Sequence, residues 1–171
     1  MYHTKEGNLY DFRTAYFKND FLRSRSPERI QHFLKVHSFA KTIAVLEHLD
    51  EKTLFITEAA AIVHDIGIRL CLEKYGDGNG KLQEKEGPAL AEQMLSELGF
   101  EKDVIERVSF LVGHHHTYTG IDGLDYQILV EADFLVNLFE GNTDTAHIRA
   151  TYDNIFRTET GKKICREMFG L

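Results

Sequence analysis

The sequence has no tryptophan, two prolines and two cysteines among its 171 residues. Cys71 and Cys165 show no paired spacing, which excludes a disulfide framework and fits a reducing compartment. With so little proline and no Ser/Pro-rich tract, there is no room for a long linker. Apolar runs are short: Ala59-Ala60-Ala61-Ile62-Val63 falls far below the roughly 20 residues of a membrane-spanning helix. Met1 to Tyr10 is polar and lacks the apolar stretch of a signal peptide. Positive charge is also scarce, 20 Lys and Arg against 27 Asp and Glu for a net charge of −7. That balance argues against an extended nucleic-acid surface, and a phosphate ligand would have to be met by a local cation, most readily a metal ion. A cytoplasmic protein without membrane association is expected.

What remains is an ordinary soluble composition, 43% hydrophobic and 27% charged, long enough to bury one substantial core. The periodicity is helical almost throughout. Ser26-Pro27-Glu28 reads as an N-cap, a first-turn proline and an acidic first turn. Ile30, Leu34, Val36, Ala40, Ile43 and Leu46 then return to one side. A second run covers 53–75 with a break near Gly67, and 76–80 is a glycine-rich loop. A third helix is expected to follow Pro88 and stop at Gly99. Helices over about 103–112 and 126–139 flank a loop at 117–123, and two amphipathic helices occupy 144–170. Alternating β patterns are absent. The expected fold is therefore all-α, a compact multi-helix bundle forming one domain over 1–171, with its motif-bearing core at about 29–139.

Nine histidines is a high count for this length. His32 and His37 share a helix but point about 140° apart, so they cannot easily serve one site. His32 lies on the inward face with Val36, Phe39, Ala40 and Ile43, whereas His37 groups with Lys41 and His48 on a face expected to be solvated. His64-Asp65 closes the apolar run 59–63, where a polar pair is costly to bury without partners. Asp133 sits inside the apolar stretch 128–136, and Glu131 is the better candidate there for plain solvent exposure. His114-His115-His116 ends another apolar helix. Steps of three from Ile105 point to His114, a heptad step points to His115, and the two are not separable. His3, His48 and His147 have no supporting context. In order along the chain, His32, His64, Asp65, one of the late histidines and Asp133 form a coherent ligand set for a divalent ion, combining neutral nitrogen with anionic oxygen.

The chain resembles the HD superfamily at these points. Arg29 to Val36 with Ala40 is similar to its first motif, Ala59 to Gly67 to its His-Asp signature, and Leu129 to Leu135 to its terminal Asp motif. The resemblance implies a metal-dependent phosphohydrolase, a phosphomonoesterase or phosphodiesterase. Its metal would be Mn, Fe, Co, Ni, Zn or Mg, and its substrate a small phosphorylated molecule such as a nucleotide. Asp65, His114 or His115 would handle the proton, and a homodimer is compatible with the sequence. One departure concerns the additional His of dinuclear members, in whose place stand Gln83, Glu84 and Glu86. One tightly bound ion at His32, His64, Asp65 and Asp133 is the expectation, with a second, looser ion on His114 or His115 and Glu84 or Glu86 as the extension. Arg69, four residues after Asp65, is the first candidate for a phosphate-binding cation, ahead of Lys35 and Lys81. An iron-dependent oxygenase and a non-catalytic metal-stabilised module are the competing readings. The glycine loop is neither a Walker A loop nor an EF-hand, because Leu82 follows Lys81 and Pro88 holds the twelfth position from Asp77.

Overall fold

Residues 26–171 are described by a computed structural model; Met1 to Tyr10, and His3 with them, lie outside this range. Helix α1 (Pro27–Leu46) opens as its sequence dictates, with the Ser26 side chain accepting from the Arg29 N–H and proline in the first turn. Helix α2 (Glu51–Val63) is capped by Asp50, which accepts from the Lys52 and Thr53 N–H groups. A tight turn over 64–67 separates it from α3 (Ile68–Tyr75), which ends at Gly76 in the left-handed conformation, φ 69°. Helices α4 (Gly80–Glu97), α5 (Lys102–Val112), α6 (Leu124–Glu140), α7 (Thr145–Ile155) and α8 (Glu159–Phe169) complete the order. No strand occurs among the described residues, and the architecture is all-α.

Helices α2 and α6 form the centre. Helix α1 packs against both, α5 covers α2, and α4 lies on α5. One core runs through these contacts, with Val36, Ala40 and Ile43 of α1, Ala59 to Ala61 of α2, Leu111 of α5 and Leu129 and Ala132 of α6 all fully buried. The alanine run of α2 has no long side chain to hold its neighbours off, so three helices approach it closely. Each buried Ile or Leu contributes about 1.5–3 kcal/mol. Because His32, His64 and Asp133 belong to these same three elements, the core packing sets their separation.

Three expectations are corrected. Helix α4 starts at Gly80, eight residues before Pro88, because Asn79 caps it by accepting from the Leu82 N–H and Gln83 is already buried in its first turn. Gln83, Glu84 and Glu86 are therefore helical. His37 is buried rather than solvated, its Nε2 3.0 Å from Glu58 Oε1, with Lys41 joining the same carboxylate at 3.1 Å. Glu131 is fully buried. Its carboxylate accepts from Gln127 Nε2 at 2.7 Å, from the Arg157 N–H at 2.6 Å and from the Thr158 N–H at 2.9 Å, and so ties α6 to the α7–α8 junction. Gly161 is required beside it, since a Cβ there would collide with the Glu131 carboxylate.

Candidate metal centre

His32 projects from the second turn of α1, His64 from the C-terminal cap of α2, Asp65 from the following turn and Asp133 from α6. The structure brings all four together. His32 Nε2 lies 3.2 Å from Asp133 Oδ1 and 3.6 Å from Asp65 Oδ2, while His64 Nε2 lies 3.4 Å from Asp65 Oδ2 and 3.6 Å from Asp133 Oδ1. Neither nitrogen makes a hydrogen bond, although both are buried. Ligand atoms about 2.1 Å from one shared ion stand roughly 3.0–3.4 Å apart, so this spacing is that of a coordination shell.

The tautomers agree. His64 Nδ1 is 3.0 Å from the Ala61 carbonyl and His115 Nδ1 is 2.8 Å from the Val112 carbonyl, contacts that require Nδ1–H as donor, so that in the neutral ring, the form that binds a cation, the lone pair falls on Nε2. His32 Nδ1 is 2.8 Å from Glu140 Oε2, and Lys35 Nζ holds the other oxygen of that carboxylate at 2.7 Å. Glu140 thereby orients the His32 ring as an outer carboxylate behind a metal-binding imidazole does.

Of the late histidines, His115 and His116 turn inward. His115 Nε2 is 3.5 Å from Asp65 Oδ1, and the Nε2 atoms of both rings are buried without hydrogen-bond partners. Asp65, His115 and His116 form a second group whose donor atoms lie within 4.8 Å of one another, so Asp65 is shared between two donor sets. His114 points elsewhere, stacked on Phe110 at 4.1 Å with Nδ1 on the Phe110 carbonyl at 2.7 Å. His116 was not among the sequence candidates. Helical stepping fails for it because α5 ends at Val112 and 113–116 is a turn. Glu140 did carry a signal, standing seven residues after Asp133 on the same face of α6.

The other candidates are engaged away from the cluster. Glu84 Oε1 accepts from the His116 N–H at 3.1 Å and the Thr117 hydroxyl at 2.8 Å, so it fixes the turn that presents His116 rather than standing in the ligand shell. Glu86 accepts from Lys74 and Tyr75. Arg69 Nε donates to Glu73 on α3 at 2.8 Å, and Lys81 pairs with Glu84.

Charge in the cluster is mutually supported. Burial opposes the charged form of His64, yet the Asp65 and Asp133 carboxylates outweigh it and raise its pKa well above the ordinary value. Burial likewise opposes charge on Asp65 and Asp133, but the histidines around them hold both carboxyls well below the usual range. His116 is the exception, pushed down to about 4 by burial and the neighbouring His115. It is neutral at physiological pH, the form that binds a cation. Buried Nε2 atoms without hydrogen-bond partners and anionic oxygens at ligand spacing fit a divalent ion at His32, His64 and Asp65, with Asp133 at 3.2 and 3.6 Å from the two imidazoles as a fourth donor, and the Asp65, His115 and His116 group offers a second set.

The fold has a solved counterpart. A crystal structure described as a predicted HD superfamily hydrolase from an uncultured Thermotogales bacterium matches with a TM-score of 0.65 and 24% identity, over 95% of this chain and 83% of that one. The chain has the HD-domain fold. No protein-family model matches the sequence, and neither does any curated protein. No helix among the described residues is long and apolar enough to cross a membrane.

Proposed function

We propose that this chain is a metal-dependent hydrolase of small phosphoesters. The observation that carries the reading is the convergence of four buried imidazole Nε2 atoms, none hydrogen-bonded, on the carboxylates of Asp65 and Asp133. His32, His64, Asp65 and Asp133 would hold the ion, and His115 and His116 would join Asp65 around a second. A divalent ion there supplies Lewis acidity, which acidifies water and offsets charge on phosphoryl oxygens. Asp65 is the member open to an incoming substrate, its side chain 26% exposed against 1% for His64. One of its oxygens faces His32 and His64 and the other His115. It therefore stands at the opening to the ion, and with a single ion bound the unpartnered Nε2 of His115 beside it would be placed to take a proton from the attacking water. The acidic surface suits a small substrate drawn to a local cation better than a polyanion.

The test is elemental analysis of the purified protein followed by a panel of phosphomonoesters and phosphodiesters with added Mn²⁺, Co²⁺, Ni²⁺, Fe²⁺ and Mg²⁺. Stoichiometric metal and metal-dependent phosphate release, both lost in His64→Ala and Asp65→Ala, are expected. A protein that binds no metal and shows no dependence on added ions would overturn the proposal.

A further inference from the structure

Six buried side-chain polar atoms lack a hydrogen-bond partner among the described residues, and four of them are the Nε2 atoms of His32, His64, His115 and His116. A fifth is Gln83 Oε1. The Gln83 side chain is buried, and its Nε2 donates to the Gly78 carbonyl at 2.8 Å. That contact fixes which end of the amide is oxygen, because an oxygen turned towards Gly78 would meet another acceptor. A carbonyl left unpaired in the interior is costly, so an atom in this state calls for a partner.

The backbone sets Gln83 between the two turns that carry the second donor set. Gly80, Gln83 and Gly87 share one face of α4. At Gly80 the helix lies against His116, since a Cβ there would stand 2.6 Å from the imidazole ring. Further along, it lies against the turn that follows His64. A Cβ on Gly67 would stand 3.1 Å from the Gly87 nitrogen and 3.3 Å from the Gln83 backbone carbonyl oxygen. Glu84, the next residue, accepts from the His116 N–H at 3.1 Å. The turns over 64–67 and 113–116 therefore flank Gln83. They supply Asp65, His115 and His116, whose donor atoms lie within 4.8 Å of one another. One carboxylate oxygen and two imidazole nitrogens leave a tetrahedral shell one donor short. A neutral amide oxygen is a donor that hard divalent ions accept.

We propose that Gln83 Oε1 completes the Asp65, His115 and His116 set and makes it a site for an oxygen-favouring divalent ion such as Mn²⁺. The inference rests on the metal-dependent reading above and adds to it the missing donor and the kind of ion. Gln83 is neutral and Asp65 is shared, so this set carries less negative charge than His32, His64, Asp65 and Asp133. Its ion is the more weakly held of the two.

The full chain, stripped of metal and freed of chelator, is dialysed against rising Mn²⁺, and bound metal is counted by elemental analysis. The parent is expected to take up one ion and then, at higher Mn²⁺, a second. The second should broaden the electron paramagnetic resonance signal of the first through the shared Asp65 carboxylate, as an adventitious surface ion would not. Gln83→Leu should weaken the second ion at least about tenfold, as loss of even an outer partner does, and leave the first unchanged. Gln83→Glu adds ligand charge and should tighten the second ion at least about tenfold. A merely structural Gln83 would send both variants the same way, towards weaker binding. That result overturns the assignment, as do a parent that binds one ion at every concentration, a second ion that causes no broadening, and a second ion held equally by parent and Gln83→Leu. With Mn²⁺-dependent phosphate release intact, each of these leaves the hydrolase reading standing. Opposite shifts in the two variants without turnover of any phosphoester uphold Gln83 as a donor and overturn the hydrolase reading instead.

Discussion

Replacing Glu131 with alanine tests the packing that carries Asp133. Its carboxylate is the acceptor for the backbone N–H groups of Arg157 and Thr158, for the Thr158 hydroxyl and for Gln127 Nε2. Two of these donors have alternatives, because a hydroxyl can rotate and Gln127 still reaches the Ile155 carbonyl at 2.9 Å. The two backbone groups do not, and each buried donor left unpaired costs about 1–3 kcal/mol. The sum is roughly 4 kcal/mol. For a chain of this size each kcal/mol moves Tm by about 2–4 °C, so a fall of about 10 °C is expected. Both backbone N–H groups bond the same oxygen, Oε1, which Glu131→Gln keeps, so that variant should lose well under half as much. Thermal unfolding by circular dichroism, repeated in urea to obtain the free energy, measures both. A Tm for Glu131→Ala within about 3 °C of the parent would refute the view that this carboxylate clamps α6 to the α7–α8 junction.

Three further outcomes are expected. Glu140→Gln should weaken metal binding by about 10–100-fold in a chelator competition, because His32 loses the carboxylate that fixes its tautomer; unchanged affinity would remove Glu140 from any positioning role. His116→Ala should lower metal content or turnover as His115→Ala does, while His114→Ala should leave both near the parent value, and equal effects at all three positions would contradict the inward and outward orientations described. In the acid limb, burial pushes Glu58 up, but His37 and Lys41 hold its carboxyl net below its ordinary value of 4.5. A depressed folded pKa means a stabilisation fully present above about pH 4.5 and lost as pH falls through the folded value, so Glu58→Gln should flatten the stability–pH curve below pH 4.5. An acid limb as steep as the parent's would count against it.

The features that were legible in the sequence are local. Ser26 and Pro27 mark a helix start through contacts within three residues, and the break at Gly67 falls where α2 gives way to α3. His64 next to Asp65 at the end of an alanine-rich run, and Asp133 within an apolar helix, stood out because burying such groups demands partners. Long-range contacts were not legible. Glu131 looked like a surface residue because its donors come from 127 and from 157–158, and His37 because Glu58 is on another helix. Pro88 suggested a helix start, yet the N-cap that decided the matter was Asn79. The three adjacent histidines carry no internal mark of direction, and Glu84, distant in sequence, fixes the turn that aims His116.

The contact between His32 and Glu140 spans 108 positions of chain, and its consequence is best put in terms of folding order. Bringing such distant points together costs closure entropy that grows as about (3/2)RT ln n, so the cluster cannot preform as a local nucleus. A nascent chain that has produced α1 through α5 and the turn over 113–116 owns His32, His64, Asp65, His115 and His116 but lacks Asp133 and the Glu140 brace. Helix α6 must emerge and dock against α1 and α2 before the donor set is whole. An ion that binds only the completed set favours the native state over every partly folded one, and its capture reports that the two ends of the described core have met.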